Sequence, residues 1–364
     1  MADKSKINWT EATWNPVTGC SKVSEGCRYC YAEREWPRLA GNPKSVYFGR
    51  KFTDVQCHQE RFEQPLRWAK PRLIFVNSMS DLFHEAISME FLDEVFAVIL
   101  ACAVLENRSH IFQVLTKRPK RMFEYFSSRT PIEHLKAWAK AGNWIHLKDP
   151  DVCIDEYVSQ FATYTPYKNG KYTESYQEWN APEKLWPLKN LWLGVTAEDQ
   201  RAADERIPIL LQIPAAIRFV SVEPMLGSIR LDKQFTKLTK EGKPAYPCDE
   251  NYLFDLDWVI CGGESGPSAR PMHPDWLRNL KNQCMVAGVP FFFKQWGEWK
   301  SFYDRDIDDP DWQNVPEEKH GVCRLNLAGG HGFHGERVVY CRRAGKKAAG
   351  RLLDGREWSE MPRI

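Results

Sequence analysis

Short apolar runs that end in a polar or charged residue, each followed by a helix-like stretch, recur along this 364-residue chain. That rhythm is the sequence signature of βα units on a parallel sheet or barrel. The runs fall at 13–17, 72–77, 110–115, 191–196, 217–222, 256–261 and 290–293. We therefore expect six or seven units and an α/β fold, a partial or near-complete parallel (β/α) barrel with inserted segments. Helices are predicted at 31–39 and 90–105; the second is nearly all apolar toward its end and should be buried on more than one side. The rhythm breaks at about 128–188, 230–255 and 299–340, which we read as insertions on a single barrel domain spanning 1–364. Long loops without regular structure in a compact domain are more often functional than neutral.

In a parallel barrel, residues just past the carboxyl ends of the strands face one shared pocket, so the polar residues there are site candidates. They are Asn77, Ser78, Ser80 and Asp81 after the second strand, and Thr116, Lys117 and Arg118 after the third. Thr196 and Glu198 follow the fourth, Glu223 the fifth, Gly262, Gly263, Glu264 and Ser265 the sixth, and Lys294 and Gln295 the seventh. Ser80 and Ser265 also suit helix caps. Lys117 and Arg118 suit phosphates of a nucleotide or nucleic acid, or ion pairs with Glu198 or Glu223 inside the mouth.

Three cysteines, Cys20, Cys27 and Cys30, lie within eleven residues of the loop GCSKVSEGCRYCYAE. A loop that short returns three thiolates to one metal or cluster, whereas a closed structural site needs a fourth ligand. Gly19 and Gly26 each precede a cysteine and permit the turns that aim the sulfurs, and Tyr29 sets a ring beside them. A zinc knuckle completed by Cys57 or His58 is the plainer alternative. Cys323, His331, His334 and Cys341 supply four further zinc-competent side chains within nineteen residues, in a glycine-rich stretch that also reads as a mobile loop. The lone histidines His84 and His273 read as hydrogen-bonded structural residues.

The three-cysteine loop with an aromatic residue before the last cysteine resembles the cluster loop of radical S-adenosylmethionine (SAM) enzymes, although the first gap here is six residues rather than three. The blocks WNPVTGCSKVSEGCRYCYAE, VNSMSDLFHE, QVLTKRP, LWLGVTAED, FVSVEPMLG, CGGESGPSARPMHPDW, FFFKQWG and GKKAAGRLLDGREW, in that order, resemble a narrower group. These are phage- and bacterium-borne three-Cys-motif proteins of unassigned function, radical-SAM-like. The resemblance implies a 4Fe-4S cluster on Cys20, Cys27 and Cys30 whose fourth iron binds SAM and cleaves it reductively to a 5′-deoxyadenosyl radical. It also implies an electron donor such as flavodoxin or ferredoxin, and a three-Cys-motif partner protein. Radical SAM enzymes usually hold the methionine ammonium with Gly-Gly-Glu after the second strand. This chain has residues 77–81 there, so Asp81 or the serine hydroxyls would take that role. Its own Gly262-Gly263-Glu264 follows the sixth strand and suits the carboxylate, ribose or adenine end of SAM, or a substrate phosphate.

Composition bounds the rest. Eleven scattered cysteines do not form a disulfide framework, no charged-then-apolar leader opens the sequence, and the longest apolar run, 95–105, is eleven residues. The expectation is a soluble cytoplasmic protein with no membrane partner. A net charge of +2 gives no general basic field, but residues 116–121 carry four cations, and residues 342–364 carry seven against three acids. With fifteen tryptophans, among them Trp138, Trp144, Trp179 and Trp186, the chain has rings to stack on bases or to pack the insertions. The leading expectation is a radical SAM enzyme acting on nucleic acid or a nucleotide. The competitors are a non-enzymatic metal-stabilised nucleic-acid-binding protein, and a hydrolase or lyase with Glu198 and Glu223 as acid and base.

Overall fold

The computed structural model describes residue 5 and residues 7–105, 109–145, 154–159, 162–168, 171–179, 185–232, 234–238, 244–305, 316–319, 321–332 and 337–363. The elements run β1 (Ala12–Trp14), β2 (Val17–Thr18), α1 (Tyr31–Ala40), β3 (Gln56–Cys57), α2 (Glu63–Arg67), β4 (Leu73–Val76) and α3 (Met89–Val104). Next come β5 (Ile111–Thr116), α4 (Pro119–Ser127), α5 (Pro131–Ala141), α6 (Ile154–Ser159), β6 (Ala162–Lys168), β7 (Lys171–Trp179), β8 (Leu191–Thr196) and α7 (Gln200–Leu210). They continue with β9 (Ile217–Val222), β10 (Gln234–Leu238), β11 (Pro244–Asn251), β12 (Trp258–Gly262), α8 (Pro274–Ala287) and β13 (Phe291–Gln295). The chain closes with β14 (Trp299–Arg305), β15 (Val322–Asn326), β16 (Val338–Arg343) and α9 (Lys346–Ala349).

Seven strands form one sheet in the order β1-β4-β5-β8-β9-β12-β13, the arrangement of a partial parallel (β/α) barrel in an α/β fold. Parallel registers run Trp14 to Val76, Val76 to Val114, Ile260 to Ser221 and Ile260 to Phe292. All six residues of β8 and all five of β12 are buried, as expected for strands covered on both faces. The chain divides into two compact units: 1–20, 52–193 and 212–217 in the first, and 21–51, 194–211 and 218–364 in the second.

In the first unit α3 starts where the Ser88 side chain accepts from the Phe91 N–H at 3.2 Å. Residues 91–93 and 95–102 of α3 are buried, so the helix is covered on every side, as its all-round apolarity predicts. It packs against α2 and α5. Helix α5 begins with a capping box, in which Thr130 and Glu133 each bond the other's backbone N–H. Gly142 ends it, where a Cβ would sit 2.9 Å from that of Ala97. Trp138 is fully buried, stacks on Phe96 at 5.2 Å and donates to the Tyr125 hydroxyl at 2.7 Å. Trp186 lies against His134 and Trp138. These rings pack the insertion, while Trp144 is 37 % exposed and the Trp179 side chain lies outside the described residues.

In the second unit Gly194 leaves room for the Phe219 ring, which a Cβ would meet at 2.6 Å. Asp199 caps α7 through the Ala202 N–H, and His273 caps α8 through that of Asp275. Gly288, with φ of 70°, closes α8 by donating to the Cys284 and Met285 carbonyls. The order β14-β16-β15 forms a separate antiparallel sheet.

Three expectations need correction. The first strand does not continue to Val17: Pro16 cannot donate to a ladder, and the Val17 N–H goes instead to Asn77 Oδ1 at 3.1 Å. Val17 and Thr18 pair antiparallel with Cys57 and Gln56. The seven strands are not all followed by helices, since β10 and β11 follow β9, and β14 follows β13. Finally, the three insertions carry regular structure of their own, including α5, α6 and the β6–β7 and β10–β11 pairs.

Candidate functional site

Cys20 belongs to the first unit, just beyond β1 and β2, and three backbone or side-chain bonds fix its place. Gly19 donates to the Met79 carbonyl at 3.2 Å, Cys20 donates to the Phe52 carbonyl at 2.9 Å, and the Ser80 hydroxyl donates to the Gly19 carbonyl at 2.6 Å. Gly19 has φ of 91°, and a Cβ there would meet the Asp54 carbonyl oxygen at 2.3 Å, so no other residue fits. Arg118 Nη1 lies 3.7 Å from Cys20 Sγ. The same guanidinium bonds Asp81 Oδ2 at 3.3 Å and both Glu85 carboxylate oxygens at 3.0 Å. Burial pulls the Arg118 pKa down, but Asp81, then Cys20 and Glu85, outweigh it and raise it above the usual arginine value.

Asp81 is committed to this cluster. It accepts from the Thr116 hydroxyl at 2.7 Å and the Lys117 N–H at 3.0 Å, and it is 6 % exposed. Asn77 sits at φ of 61° with its side-chain oxygen on Val17, so it shapes the chain. Ser78 donates to Asn15 Oδ1 at 3.1 Å, and the Met79 N–H reaches the same oxygen at 3.0 Å. Neither Ser80 nor Ser265 caps a helix: Ser80 bonds Gly19, and the Ser265 carbonyl accepts from Arg34 at 2.7 Å.

Cys27 and Cys30 belong to the second unit, one turn apart where a short 3-10 turn (Glu25–Cys27) enters α1. Cys30 is the N-cap residue of that ten-residue helix, with its N–H on the Cys27 carbonyl at 3.3 Å. Lys22 pairs with Glu33 at 2.8 Å. That hydrogen bond above all raises the Lys22 pKa. The Tyr29 ring is flanked by Arg28 at 5.3 Å and Arg270 at 5.2 Å.

The three candidate carboxylates of this unit, Glu198, Glu223 and Glu264, each carry a cation. Glu198 is 1 % exposed and bonded by Arg206 at 2.9 Å. Arg206 also donates to the Thr196 carbonyl, and the Gly26 N–H reaches Glu198 Oε1 at 3.4 Å. A Cβ on Gly26 would stand 3.0 Å from the Glu198 carboxyl carbon, which ties the cysteine loop to that carboxylate. Glu223 pairs with Lys294 at 3.0 Å and accepts from the Ser221 hydroxyl. Glu264 is bonded by Arg270 at 2.7 and 2.9 Å and by the Arg270 backbone N–H at 2.8 Å. Within each unit the ion pairs are Arg118 with Asp81 and Glu85, Arg206 with Glu198, and Lys294 with Glu223.

The glycines of Gly262-Gly263-Glu264 have a packing cause. A Cβ on Gly262 would meet Glu223 Oε1 at 2.6 Å, and one on Gly263 would meet the Trp296 carbonyl oxygen at 2.0 Å. Gln295 pairs with Gly262 in the β12–β13 ladder and is 8 % exposed.

His58 does not suit a fourth metal ligand, because Thr18 bonds one ring nitrogen at 2.8 Å and Glu60 the other at 2.9 Å. Cys57 is exposed. Cys323 and Cys341 stand directly opposite each other in the β15–β16 ladder, His331 is exposed in the following loop, and His334 lies outside the described residues. His84 accepts from the Ala86 N–H and His273 caps α8, as structural histidines do. Among the described residues no three His, Cys, Asp or Glu side chains are gathered into a ready-made metal cage. The basic run 116–121 is largely turned inward: Arg118 is buried, and Arg121 donates to the Ile87 carbonyl at 2.6 Å. Among the described residues no helix is long and apolar enough to cross a membrane.

Arg206, Arg270, Glu85 and Asn15 organise these positions without standing out in the sequence. Arg270 follows Glu264 by six residues and Arg206 follows Glu198 by eight, a spacing that hinted at both pairs. A family model described as "Protein of unknown function (DUF5131)" matches residues 4–362. No curated protein and no solved structure matches the chain.

Proposed function

The chain belongs to that DUF5131 family over nearly its whole length, and from this premise we propose that it is a radical SAM enzyme with Cys20, Cys27 and Cys30 as the cluster ligands. The observation that carries the reading is the setting of the sulfurs. None of the three is in a disulfide, all are partly exposed, and Arg118 stands 3.7 Å from Cys20 Sγ. Thiolates are the form that binds iron. Three cysteine sulfurs within eleven residues are the donor type that an iron–sulfur cluster takes. When bound, such a cluster with one iron open to SAM supplies the electron that cleaves the sulfonium.

The chain's own part is positioning. Gly19, Ser80 and the Phe52 carbonyl hold Cys20, while the Cys27 carbonyl and the α1 N-terminus hold Cys30. Arg118 offsets thiolate charge at Cys20 with its own charge anchored by Asp81 and Glu85. Asp81 already accepts from Thr116, the Lys117 N–H and Arg118, and Glu264 from Arg270, so either one taking the SAM ammonium would share or exchange these partners. For a phosphate-bearing substrate, the half-buried Lys117 and the exposed Lys120 are the candidate cations of that segment.

The test is anaerobic reconstitution with iron and sulfide, followed by SAM and dithionite. Formation of 5′-deoxyadenosine that disappears in the triple Cys→Ala variant is the expected result. Tight zinc with DNA affinity and no SAM cleavage would replace the reading with a binding protein. Hydrolytic or lyase turnover retained in the triple variant would replace it with the carboxylate enzyme.

A further inference from the structure

The three-stranded β14-β16-β15 sheet holds a cysteine pair that the proposed function does not use. Cys323 on β15 and Cys341 on β16 are direct partners in an antiparallel ladder. Two residues along, the Arg343 N–H donates to the Gly321 carbonyl at 2.7 Å. Hydrogen-bonded pairs alternate along such a ladder, so Cys323 and Cys341 also form one, and its Cα separation is about 5.5 Å. That separation lies within the Cα range of disulfides, about 4.4–6.8 Å, while a hydrogen-bonded pair sets its Cβ atoms wider apart than the usual distance of about 3.5–4.5 Å, so a link here closes with a small shift and is readily reduced. Both residues are thiols, Cys323 partly exposed and Cys341 buried.

We propose that Cys323 and Cys341 form a reversible disulfide site, closed by exchange with a small-molecule disulfide. The roles of the two thiols differ. A hydrogen bond from Cys341 holds the Cys323 thiol below its usual pKa despite burial, whereas the same bond and burial push Cys341 well above. Cys323, the more accessible and more acidic, attacks the external disulfide RSSR, forming a mixed disulfide and releasing one RS⁻. Cys341 then gives up its proton and attacks the Cys323 sulfur, releasing the second RS⁻. The balance is two protein thiols oxidised, one RSSR reduced, and two RSH formed once the protons are transferred. The product staples β15 to β16 across the intervening segment 324–340.

The experiment exposes the folded full-length protein to oxidised glutathione, alkylates the remaining thiols and reads each cysteine by peptide mass spectrometry. The expected result is a linked Cys323–Cys341 peptide that dithiothreitol reverses. In Cys341→Ala, Cys323 should instead accumulate a stable glutathione adduct, and in Cys323→Ala, Cys341 should remain a thiol. Both cysteines remaining thiols in the unaltered chain under a fully oxidised glutathione pool would overturn the proposal, as would either one linking to a different cysteine. The first arm needs no variant, so misfolding of a substituted chain cannot rescue or sink it.

Discussion

Arg118 places one guanidinium nitrogen 3.7 Å from Cys20 Sγ and 3.3 Å from Asp81 Oδ2, and its side chain is 5 % exposed. A charge buried to that degree persists only if it is paired, so Asp81 sustains the cation that Cys20 meets. The relationship links a sulfur after β2 to a carboxylate after β4 and an arginine after β5, within one unit.

Removing both partners of this pair should therefore cost less than the two single removals added together. Arg118→Met is expected to destabilise the chain by about 3–5 kcal/mol, because it strands Asp81. The double variant Asp81→Asn/Arg118→Met should lose less than the sum of the single losses. Urea titration of the four proteins measures the coupling, and additive losses would show that the pair is not a unit.

Gly263→Ala should destabilise by about 1–3 kcal/mol with no ligand present, since its Cβ would collide with rigid backbone. Gly262→Ala should cost less, because its Cβ meets the movable end of Glu223. Denaturant midpoints test this order. Unchanged stability with weakened SAM binding in Gly263→Ala would make the glycine a ligand contact instead.

Burial pushes the His273 pKa down from 6.5 to about 4, with Arg337 and Arg278 adding to burial and Asp275 and Asp304 opposing it. Between those values the unfolded chain binds a proton that the folded chain does not, so stability rises with pH through the window. It should be complete above 6.5 and fall by up to about 3 kcal/mol as pH drops toward 4. His273→Asn keeps an acceptor at the α8 N-cap and should flatten that part of the slope in thermal melts across this range. An unchanged slope would exclude the histidine as its source.

The parallel strands were legible because each is a short continuous apolar run bounded by polar residues; β8 and β9 have the bounds that pattern predicts. The first strand was misplaced because apolarity continues past Asn15 while Pro16 ends the ladder. In the candidate site, sequence marked the polar strand ends but not what they bind. The partnership of Glu264 with Arg270 is local and readable. That of Asp81 with Arg118 depends on β4 and β5 being neighbours, which spacing along the chain does not encode. The opposition of Cys323 and Cys341 likewise depends on ladder register, which spacing along the chain does not encode.

Iron binding by the three cysteines is the centre of the account. Protein reconstituted without oxygen should hold about four irons per chain and, once reduced, give an electron paramagnetic resonance signal that changes when SAM is added. Cys20→Ala, Cys27→Ala and Cys30→Ala should each abolish that signal while circular dichroism stays unchanged. A folded wild-type chain that takes up no iron, or one whose signal survives loss of any of these sulfurs, would contradict it.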